Sequence, residues 1–369
     1  MSATGIVLYD FMGVPGGAEK LTRTLLQANP GTALCTGFVL PEAGWLVRRL
    51  DGPLIDLRAY SAIPALKIAK VIRAFSRRSP RLEAYDWALF SGSYAPLAAL
   101  RTRARRNVLY CHTPPRFCYD LREHYRSQAS ILLRPALDAL VAYLDPRYRE
   151  AVNRMDVVVA NSQNVQSRLA RYLGRESVIV HPPIDTSGYR WEEDGDFYLS
   201  VARLEPLKRV GLLIDAFRGM PNRQLVVASG GSEATQLRQR AAGAANIRFT
   251  GWLEEEALQQ LVGRCRAVLY IPVDEDFGMS PVEAMAAGKP VVGVAEGGLL
   301  ETVLDGETGV LIEGAPDAMK VQAAVEALER LGPSSLRAAC ERQAQGFGRD
   351  TFVRRMHSIL RDTTPARVG

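Results

Sequence analysis

The chain has 369 residues, of which 47% are hydrophobic and 23% are charged, and its formal net charge is +6. This length exceeds the comfortable size of one core and predicts two domains, and the composition excludes a disordered or fibrous protein. No apolar run approaches 18 residues and no basic leader precedes one, so we predict neither a transmembrane helix nor a signal peptide, and a cytoplasmic protein.

Short apolar runs typical of strands alternate with helical patterns along the chain, which predicts βα units and open parallel sheets in an α/β fold. Proline, glycine and acidic residues interrupt the pattern at 182–196 and place the domain boundary there. We predict domains 1–187 and 188–349, followed by a C-terminal helix in 350–369. The strand candidates are 5–9, 33–39, 87–91, 108–111, 157–161 and 178–181, then 197–201, 224–228, 247–250, 267–271, 291–294 and 310–312.

A glycine-rich turn follows the first predicted strand. Gly16 and Gly17 open a helix at about Ala18, and the free amides and dipole of such a helix start suit a phosphate. A Gly-Gly turn before a helix is more often only a turn, and this one lacks the GxGxxG spacing of a nicotinamide or flavin site.

A basic stretch without acidic residues precedes the third strand candidate. Its apolar residues recur at helical spacing and predict an amphipathic helix, which either lies on an anionic membrane surface or packs its apolar face on the core. Phe75 is the one aromatic residue within the stretch, so nucleic-acid binding is not predicted. The cations are Lys67, Lys70, Arg73, Arg77, Arg78 and Arg81.

Charged side chains follow two further strands. His112 stands directly before the stiff Thr113-Pro114-Pro115 loop and is a candidate hydrogen-bond donor to a sugar hydroxyl or a developing oxyanion, although a structural role fits equally well. Arg203 and Lys208 precede a helix in the second half and suit a departing diphosphate, while each alone reads as an exposed loop cation.

The densest signal is a pair of carboxylates, Glu275 and Glu283, with seven residues between them. Carboxylates bind sugar hydroxyls, and the intervening turn at a helix start offers backbone amides to an anion. Those amides belong to Phe277, Gly278, Met279 and Ser280.

The same motif also reads as a capping box. Ser280 would cap the helix, Pro281 would take its first position, and Glu283 would close the box. Glu283 therefore has two readings, a helix cap and a ribose ligand.

A metal site is not predicted. The five cysteines are odd in number and form no CxxC pair, which favours reduced thiols, and the four histidines show no ligand spacing.

Together these residues resemble, in order and spacing, the retaining GT-B glycosyltransferases of family 4 and their E-x7-E motif. The resemblance implies two Rossmann-like, doubly wound domains facing a central cleft, and a metal-independent enzyme without a cofactor. It implies that Glu275 binds the donor sugar, Glu283 the ribose, and Arg203 and Lys208 the diphosphate. Backbone at 277–280 would contact sugar and phosphate, Gly16 and Gly17 would approach the phosphate, and His112 would face the reacting centre.

The loop 110–120 is similar to the YCHTPxRYxWD stretch of bacterial O-antigen and exopolysaccharide mannosyltransferases, from which Phe117 and Tyr119 depart conservatively. This favours GDP-mannose as donor and leaves GDP-rhamnose, GDP-fucose, UDP-glucose and UDP-galactose open. A related sugar-nucleotide epimerase and a non-catalytic nucleotide-sugar binding module are the alternatives to a transferase.

The resemblance further implies a lipid-linked saccharide acceptor, with the 67–81 stretch on the inner membrane surface. It implies that the C-terminal helix packs back on the first domain, and that the domains close about a hinge near 182–196.

Overall fold

The computed structural model describes residues 4–13, 16–48 and 50–361, and the chain forms two compact units. Unit 1 comprises Met1–His181 together with Phe352–Gly369, and unit 2 comprises Pro182–Thr351. The division falls at the start of the segment 182–196, slightly before the predicted boundary after residue 187. The predicted C-terminal helix extends beyond the described residues, since 362–369 lie outside them.

Unit 1 contains a seven-stranded parallel sheet with the strand order β3-β2-β1-β4-β5-β6-β7. Its strands are β1 (Gly5–Tyr9), β2 (Ala33–Thr36), β3 (Leu54–Asp56), β4 (Trp87–Ser91), β5 (Arg106–Cys111), β6 (Val157–Ala160) and β7 (Val178–Ile179). Its helices are α1 (Gly17–Ala28), α2 (Gly44–Val47), α3 (Pro64–Arg78), α4 (Arg122–Gln128), α5 (Arg134–Asn153) and α6 (Gln163–Leu173).

Unit 2 contains a six-stranded parallel sheet with the order β10-β9-β8-β11-β12-β13. Its strands are β8 (Phe197–Ser200), β9 (Gln224–Val227), β10 (Ile247–Phe249), β11 (Ala267–Tyr270), β12 (Val291–Val294) and β13 (Gly309–Ile312). Its helices are α7 (Val210–Arg218), α8 (Ala234–Arg240), α9 (Glu255–Arg264), α10 (Met279–Ala286), α11 (Leu299–Thr302), α12 (Ala318–Leu331) and α13 (Arg337–Gln345), and α14 (Arg349–Arg361) follows them.

The prediction of two doubly wound α/β domains is confirmed, and each predicted strand is present with ends within a few residues. The strand β3 was not predicted. It has three residues, lies at the sheet edge and leaves Leu54 43% exposed, so it carries neither a buried run nor a clear alternation.

Side chains of successive strand residues fill the space on both faces of the unit 1 sheet. Ile6 and Leu8 belong to one buried cluster, and Val7 belongs to the other. This is the burial expected for a strand covered by helices on both sides. Unit 2 has one large buried cluster around its own sheet.

Helix α14 completes unit 1. Phe352, Met356 and Leu360 are buried in the same cluster as Val7, and Phe352 packs edge-on against Tyr110 at 5.9 Å. The Arg106 Nε donates to the Ile359 carbonyl at 2.6 Å. The apolar periodicity of this helix is therefore explained by packing on the first sheet.

The strand order reverses between β1 and β4 in unit 1 and between β8 and β11 in unit 2. In doubly wound sheets, ligands bind beyond the carboxyl ends of the strands at such reversals. These two positions are therefore where functional side chains are sought. Within 4–13, 16–48 and 50–361, no helix is long and apolar enough to span a bilayer.

Candidate functional site

Three side chains meet at the carboxyl end of the β8/β11 reversal in unit 2. The Lys208 Nζ donates to the Glu275 Oε2 at 2.6 Å and to the Tyr270 hydroxyl at 3.0 Å. The side chains of Lys208 and Glu275 are 18% and 19% exposed, so the pair is accessible without being fully hydrated. We call these three residues the Lys208 cluster.

Backbone pairing brings these distant residues together. The Val273 N–H donates to the Leu207 carbonyl at 2.8 Å, which ties the loop after β11 to the short 3-10 helix Pro206–Lys208 after β8. Sequence analysis singled out Lys208 and Glu275, and the structure joins them directly. It did not identify Tyr270, which is the last residue of β11.

Tyr270 stays protonated in this setting. Burial raises the pKa of its hydroxyl well above 10, and the neighbouring Glu275 carboxylate raises it further. The hydroxyl therefore acts as a neutral hydrogen-bonding group that helps to orient Lys208 and Glu275.

The segment Glu296-Gly297-Gly298, separated from the end of β12 by one residue, supports the loop that carries Glu275. The Gly298 N–H donates to the Glu275 carbonyl at 2.8 Å, and Gly297 has a positive φ of 58°. A Cβ at Gly297 would lie 2.4 Å from the Glu275 carbonyl oxygen, so only glycine fits there without a shift of the loop. This segment was not predicted from the sequence, although an acidic residue and two glycines after a buried strand were a usable signal.

Glu296 also holds a second cation near the loop. The Arg209 guanidinium lies 3.1 Å from Glu296 Oε1 and donates to the Pro272 carbonyl at 3.2 Å. The Asp274 N–H donates to Glu296 Oε2 at 3.2 Å. Arg209 and Glu296 thus fix both sides of the Glu275 loop.

The capping-box reading of Ser280 and Glu283 is wrong. Helix α10 begins at Met279 and its N-cap is Gly278, with φ of 92° and without a side-chain cap hydrogen bond. Ser280 therefore lies inside the first turn, because the glycine reaches a left-handed conformation that starts the helix earlier. Glu283 instead accepts a hydrogen bond from the Tyr189 hydroxyl, and burial together with the Glu283 charge raises the pKa of Tyr189.

Arg203 lies apart from the Lys208 cluster. Its side chain is 63% exposed and its guanidinium is 3.4 Å from Glu205, although its charge still acts on Tyr270. The adjoining Leu204 N–H donates to the Gly230 carbonyl at 2.9 Å. Arg203 is therefore an exposed cation beside the loop that follows β9.

A large exposed ring stands next to that loop. Trp252 is 67% exposed, and a Cβ at Gly230 would lie 2.3 Å from its indole nitrogen. Because Gly230 has no side chain, Trp252 can pack directly against the turn after β9.

The side chains of Phe277 and Lys289 have structural roles. The Phe277 side chain is 2% exposed and packs edge-on against Phe347 at 5.4 Å, which leaves only its backbone for a ligand. The Lys289 ammonium lies 3.4 Å from the centre of the Trp191 ring. Lys289, which lies six residues after Glu283, is fully buried, so it stabilises unit 2 and does not face a ligand.

His112 follows β5 near the β1/β4 reversal of unit 1. Its Nε2 lies 2.9 Å from the hydroxyl of Ser91, the last residue of β4. Burial lowers the pKa of His112 to about 4, so the ring is neutral at pH 7. The following Thr113 hydroxyl accepts from the buried Arg168 at 2.9 Å, which fixes the start of the loop.

We expect the His112 ring to show no titration between pH 8 and pH 5 when its carbon-bound protons are followed by NMR. The physical reason is that its environment penalises the imidazolium form. The variant His112→Gln assigns the resonance. A midpoint near 6.5 would contradict the structure.

Asp10, which sequence analysis missed, organises the neighbouring turn. Its carboxylate accepts the backbone N–H groups of Ser93, Tyr94 and Ala95 at 2.6, 2.8 and 2.7 Å. Gly92 has φ of 115°, and a Cβ there would lie 2.3 Å from the Asp10 Cγ. Asp10 therefore positions the turn that follows Ser91.

Burial raises the pKa of Asp10 to about 6, despite the three N–H donors. The folded state then binds a proton more readily than the unfolded state, so this group's contribution to stability falls as pH rises from about 4 to 6. We expect the free energy of unfolding of wild type to fall by at most about 3 kcal/mol, relative to that of Asp10→Asn, between pH 4 and pH 7. Urea unfolding of both proteins at each pH measures this, and parallel pH profiles would contradict it.

The glycine-rich turn of unit 1 is held by its own helix. Gly16 is the N-cap of α1, and the Glu19 carboxylate accepts the backbone N–H groups of Gly16 and Gly13. Val14 and Pro15 of this turn lie outside the described residues. Gly17 is the first residue of the helix, so the helix starts within one residue of the predicted position.

Across the part of the chain that the structure describes, no group of three or more His, Cys, Asp or Glu side chains could hold a metal ion. All five cysteines are buried, and none of them forms a disulfide.

Two family models match the chain and together span most of it. The model described as Glycosyltransferase Family 4 matches residues 32–187, and the model described as Glycosyl transferases group 1 matches residues 183–347. The second match contains the whole Lys208 cluster.

Curated relatives match over part of their length. The chain is 36% identical over 143 residues to the alpha-1,3/1,6-mannosyltransferase ALG2 of Dictyostelium discoideum, covering 32% of this chain and 34% of that protein. It is 32% identical over 210 residues to the D-inositol 3-phosphate glycosyltransferase of Geodermatophilus obscurus, covering 47% of each. The chain thus spans between a third and a half of these relatives.

The fold is shared with solved structures. The structure of HepE from Anabaena in complex with UDP and glucose superimposes with a TM-score of 0.74 at 20% identity, covering 96% of this chain and 98% of that one. At this identity the likeness concerns the fold.

Proposed function

We propose that this chain, which belongs to the glycosyltransferases of the GT-B fold, moves a hexose from a nucleotide sugar to a lipid-linked or growing polysaccharide acceptor. The observation that carries the proposal is the Lys208 cluster at the carboxyl end of the β8/β11 reversal. The Glu275 carboxylate, the Lys208 ammonium and the start of α10 are carried there by neighbouring loops. These are the groups that bind a sugar and its diphosphate.

In unit 2, Glu275 binds hydroxyls of the donor sugar and Lys208 neutralises the diphosphate. In the structure Lys208 is paired with Glu275. Because its ammonium is carried on a flexible stem, it can turn to a phosphate oxygen when the donor binds. Arg203 adds a second positive charge from its exposed position, and the backbone from Phe277 to Ser280 contacts sugar and phosphate. Glu283, held by Tyr189, binds the ribose.

In unit 1, the neutral His112 donates a hydrogen bond to the sugar, and Gly16 and Gly17 approach the phosphate. The Ser91 contact supports this role because it orients the imidazole ring. Glu19 accepts the Gly16 N–H in the structure, so a phosphate would compete with this carboxylate for the amide.

Transfer proceeds without a metal and with retention at the anomeric carbon. The bond from C1 to the leaving phosphate oxygen breaks as the acceptor oxygen attacks from the same face, and that phosphate oxygen takes the acceptor's proton. Neither Glu275 nor Glu283 is a nucleophile, unlike the paired carboxylates of glycosidases. Catalysis rests on positioning and on charge stabilisation of the leaving group.

GDP-mannose is the proposed donor. The loop Tyr110 to Asp120 and the similarity to a mannosyltransferase support it, whereas the solved HepE complex contains UDP and glucose. The base would stack near Trp252, whose exposed ring adjoins Gly230.

Location at the cytoplasmic face of the membrane completes the proposal. Helix α3 carries five cations from Lys67 to Arg78 and no acidic residue, which favours an anionic lipid surface. Unchanged binding to anionic vesicles after charge reversal at Lys67 and Lys70 would contradict this role.

A screen of GDP-mannose, GDP-rhamnose, GDP-fucose, UDP-glucose and UDP-galactose tests the donor. We expect one of them to stabilise the protein thermally and to be hydrolysed slowly until acceptor is added. Interconversion of a sugar nucleotide without acceptor would instead indicate an epimerase, and binding without any turnover would indicate a binding module.

A further inference from the structure

An open apolar groove runs along unit 1 between α3 and α5. It encloses about 920 Å³, and most of its walls are aliphatic or small side chains. Ile68 and Ile72 of α3 lie on one wall and Leu137 and Leu140 of α5 on the other. A pocket of this volume accommodates a ligand of drug-like size or a length of hydrocarbon chain.

The sequence reading of α3 as a core-packed helix accounts for only half of it. Its second half buries Val71, Ile72, Ala74 and Phe75, whereas Leu66 in the first half is 45% exposed. Leu133, at the end of the groove, is 56% exposed. Contiguous apolar surface of this kind usually marks a binding site.

Two cations stand in the groove itself. Arg73 and Arg77 line it and are one helical turn apart on α3. Among the described residues, neither arginine forms an ion pair with a carboxylate. On the opposite helix, Asp138 is paired with Arg126 at 3.3 Å and with Arg122 at 3.5 Å. The groove therefore offers positive charge at one wall and mainly apolar side chains elsewhere.

We propose that this groove binds the isoprenoid chain of a prenyl-phosphate-linked acceptor, with Arg73 and Arg77 on its phosphate. The inference deepens the proposed function and rests on its lipid-linked acceptor. A hydrocarbon chain fits better than a peptide, because the walls offer few polar groups to a peptide backbone. A single chain fits better than a bilayer surface, because the site is concave and two cations line it.

Farnesyl phosphate is the probe for this groove, and its binding to the purified chain is measured by calorimetry without any donor. Ala69 and Ala136 line the groove at exposed positions, so Ala69→Trp and Ala136→Trp fill it without disturbing the core. Ala142→Trp, on the exposed surface of α5 outside the groove, is the matched control. The double variant Arg73→Gln, Arg77→Gln tests the phosphate contact.

We expect the groove-filling variants to bind farnesyl phosphate at least tenfold more weakly than wild type, and Ala142→Trp to bind it as wild type does. The double arginine variant should lose the preference of wild type for farnesyl phosphate over farnesol. Equal binding by wild type and Ala69→Trp would overturn the proposal. So would binding to anionic phospholipid vesicles without binding to farnesyl phosphate, which would make the groove a bilayer surface.

Nucleotide-sugar binding is measured on the same proteins and separates the two proposals. If the chain binds farnesyl phosphate but no nucleotide sugar, the proposed transferase function is overturned and the groove proposal stands. A chain that binds the donor and ignores farnesyl phosphate would overturn the groove alone.

Discussion

Replacing Lys208 or Glu275 with alanine is expected to lower the transfer rate by about 10²- to 10³-fold, the usual cost of removing a charge-stabilising group from a transition state. In Lys208→Ala the leaving diphosphate loses its cation. In Glu275→Ala the sugar loses its carboxylate, and Lys208 loses the partner that holds it at 2.6 Å. Steady-state kinetics with purified donor and acceptor measure both.

The pair acts as one unit, so the double variant should be scarcely slower than either single variant. Tyr270→Phe should be milder, because it removes only the hydroxyl 3.0 Å from Lys208. Arg264→Ala is the matched control, since it breaks an ion pair of the same 2.6 Å length with Glu192 elsewhere in unit 2. Wild-type rates in both single variants would contradict the assignment of the site.

Gly297→Ala should weaken donor binding about tenfold or more and destabilise unit 2 by about 1–3 kcal/mol beyond the strain of its backbone angle. The added methyl group would lie 2.4 Å from the Glu275 carbonyl oxygen and 2.7 Å from the Glu275 nitrogen. The Glu275 loop must then move, and the Lys208 contact moves with it. Calorimetry with the donor and urea unfolding measure the two effects.

Gly243→Ala provides the control for this variant. Gly243 has a positive φ of 80°, like the 58° of Gly297, but nothing lies within 4 Å of its added Cβ. Gly243→Ala should lower the free energy of unfolding by about 1–2 kcal/mol, because alanine is strained in the left-handed conformation, and it should leave donor affinity unchanged. Equal effects of the two substitutions would show that close approach to Glu275 is unimportant.

Much of the architecture could be predicted because its signals are local. The strand residues are buried on both faces, so strands such as β1 and β12 appear as short apolar runs. Helix α7, from Val210 to Arg218, follows Arg203 and Lys208 as predicted. The short, exposed β3 lacked such a run and was missed.

The candidate site was predictable only in part, because its contacts join residues far apart in sequence. Lys208 and Glu275 are 67 positions apart, and Asp10 and Ser93 are 83 positions apart. Lys208 and Glu275 were predicted from the sequence separately, Lys208 with Arg203 and Glu275 with Glu283, but their contact was not. Asp10 and Glu296 bind backbone groups of other loops, and no local pattern marks that role.

Glu283 shows how a local pattern can mislead. The order Ser-Pro-x-Glu fits a capping box, yet Gly278 reaches a left-handed φ of 92° and starts α10 at Met279. The Glu283 carboxylate accepts a hydrogen bond from the Tyr189 hydroxyl. A carboxylate oriented by a buried tyrosine is well suited to bind a ribose.

Titration of GDP-mannose and UDP-glucose into wild type and Lys208→Ala by calorimetry tests the central claim most directly. We predict that wild type binds at least one of them and that Lys208→Ala binds the same donor at least 30-fold more weakly, about 2 kcal/mol. Equal affinity of the two proteins, or no binding of either donor to wild type, would contradict the Lys208 cluster as the site of a nucleotide sugar.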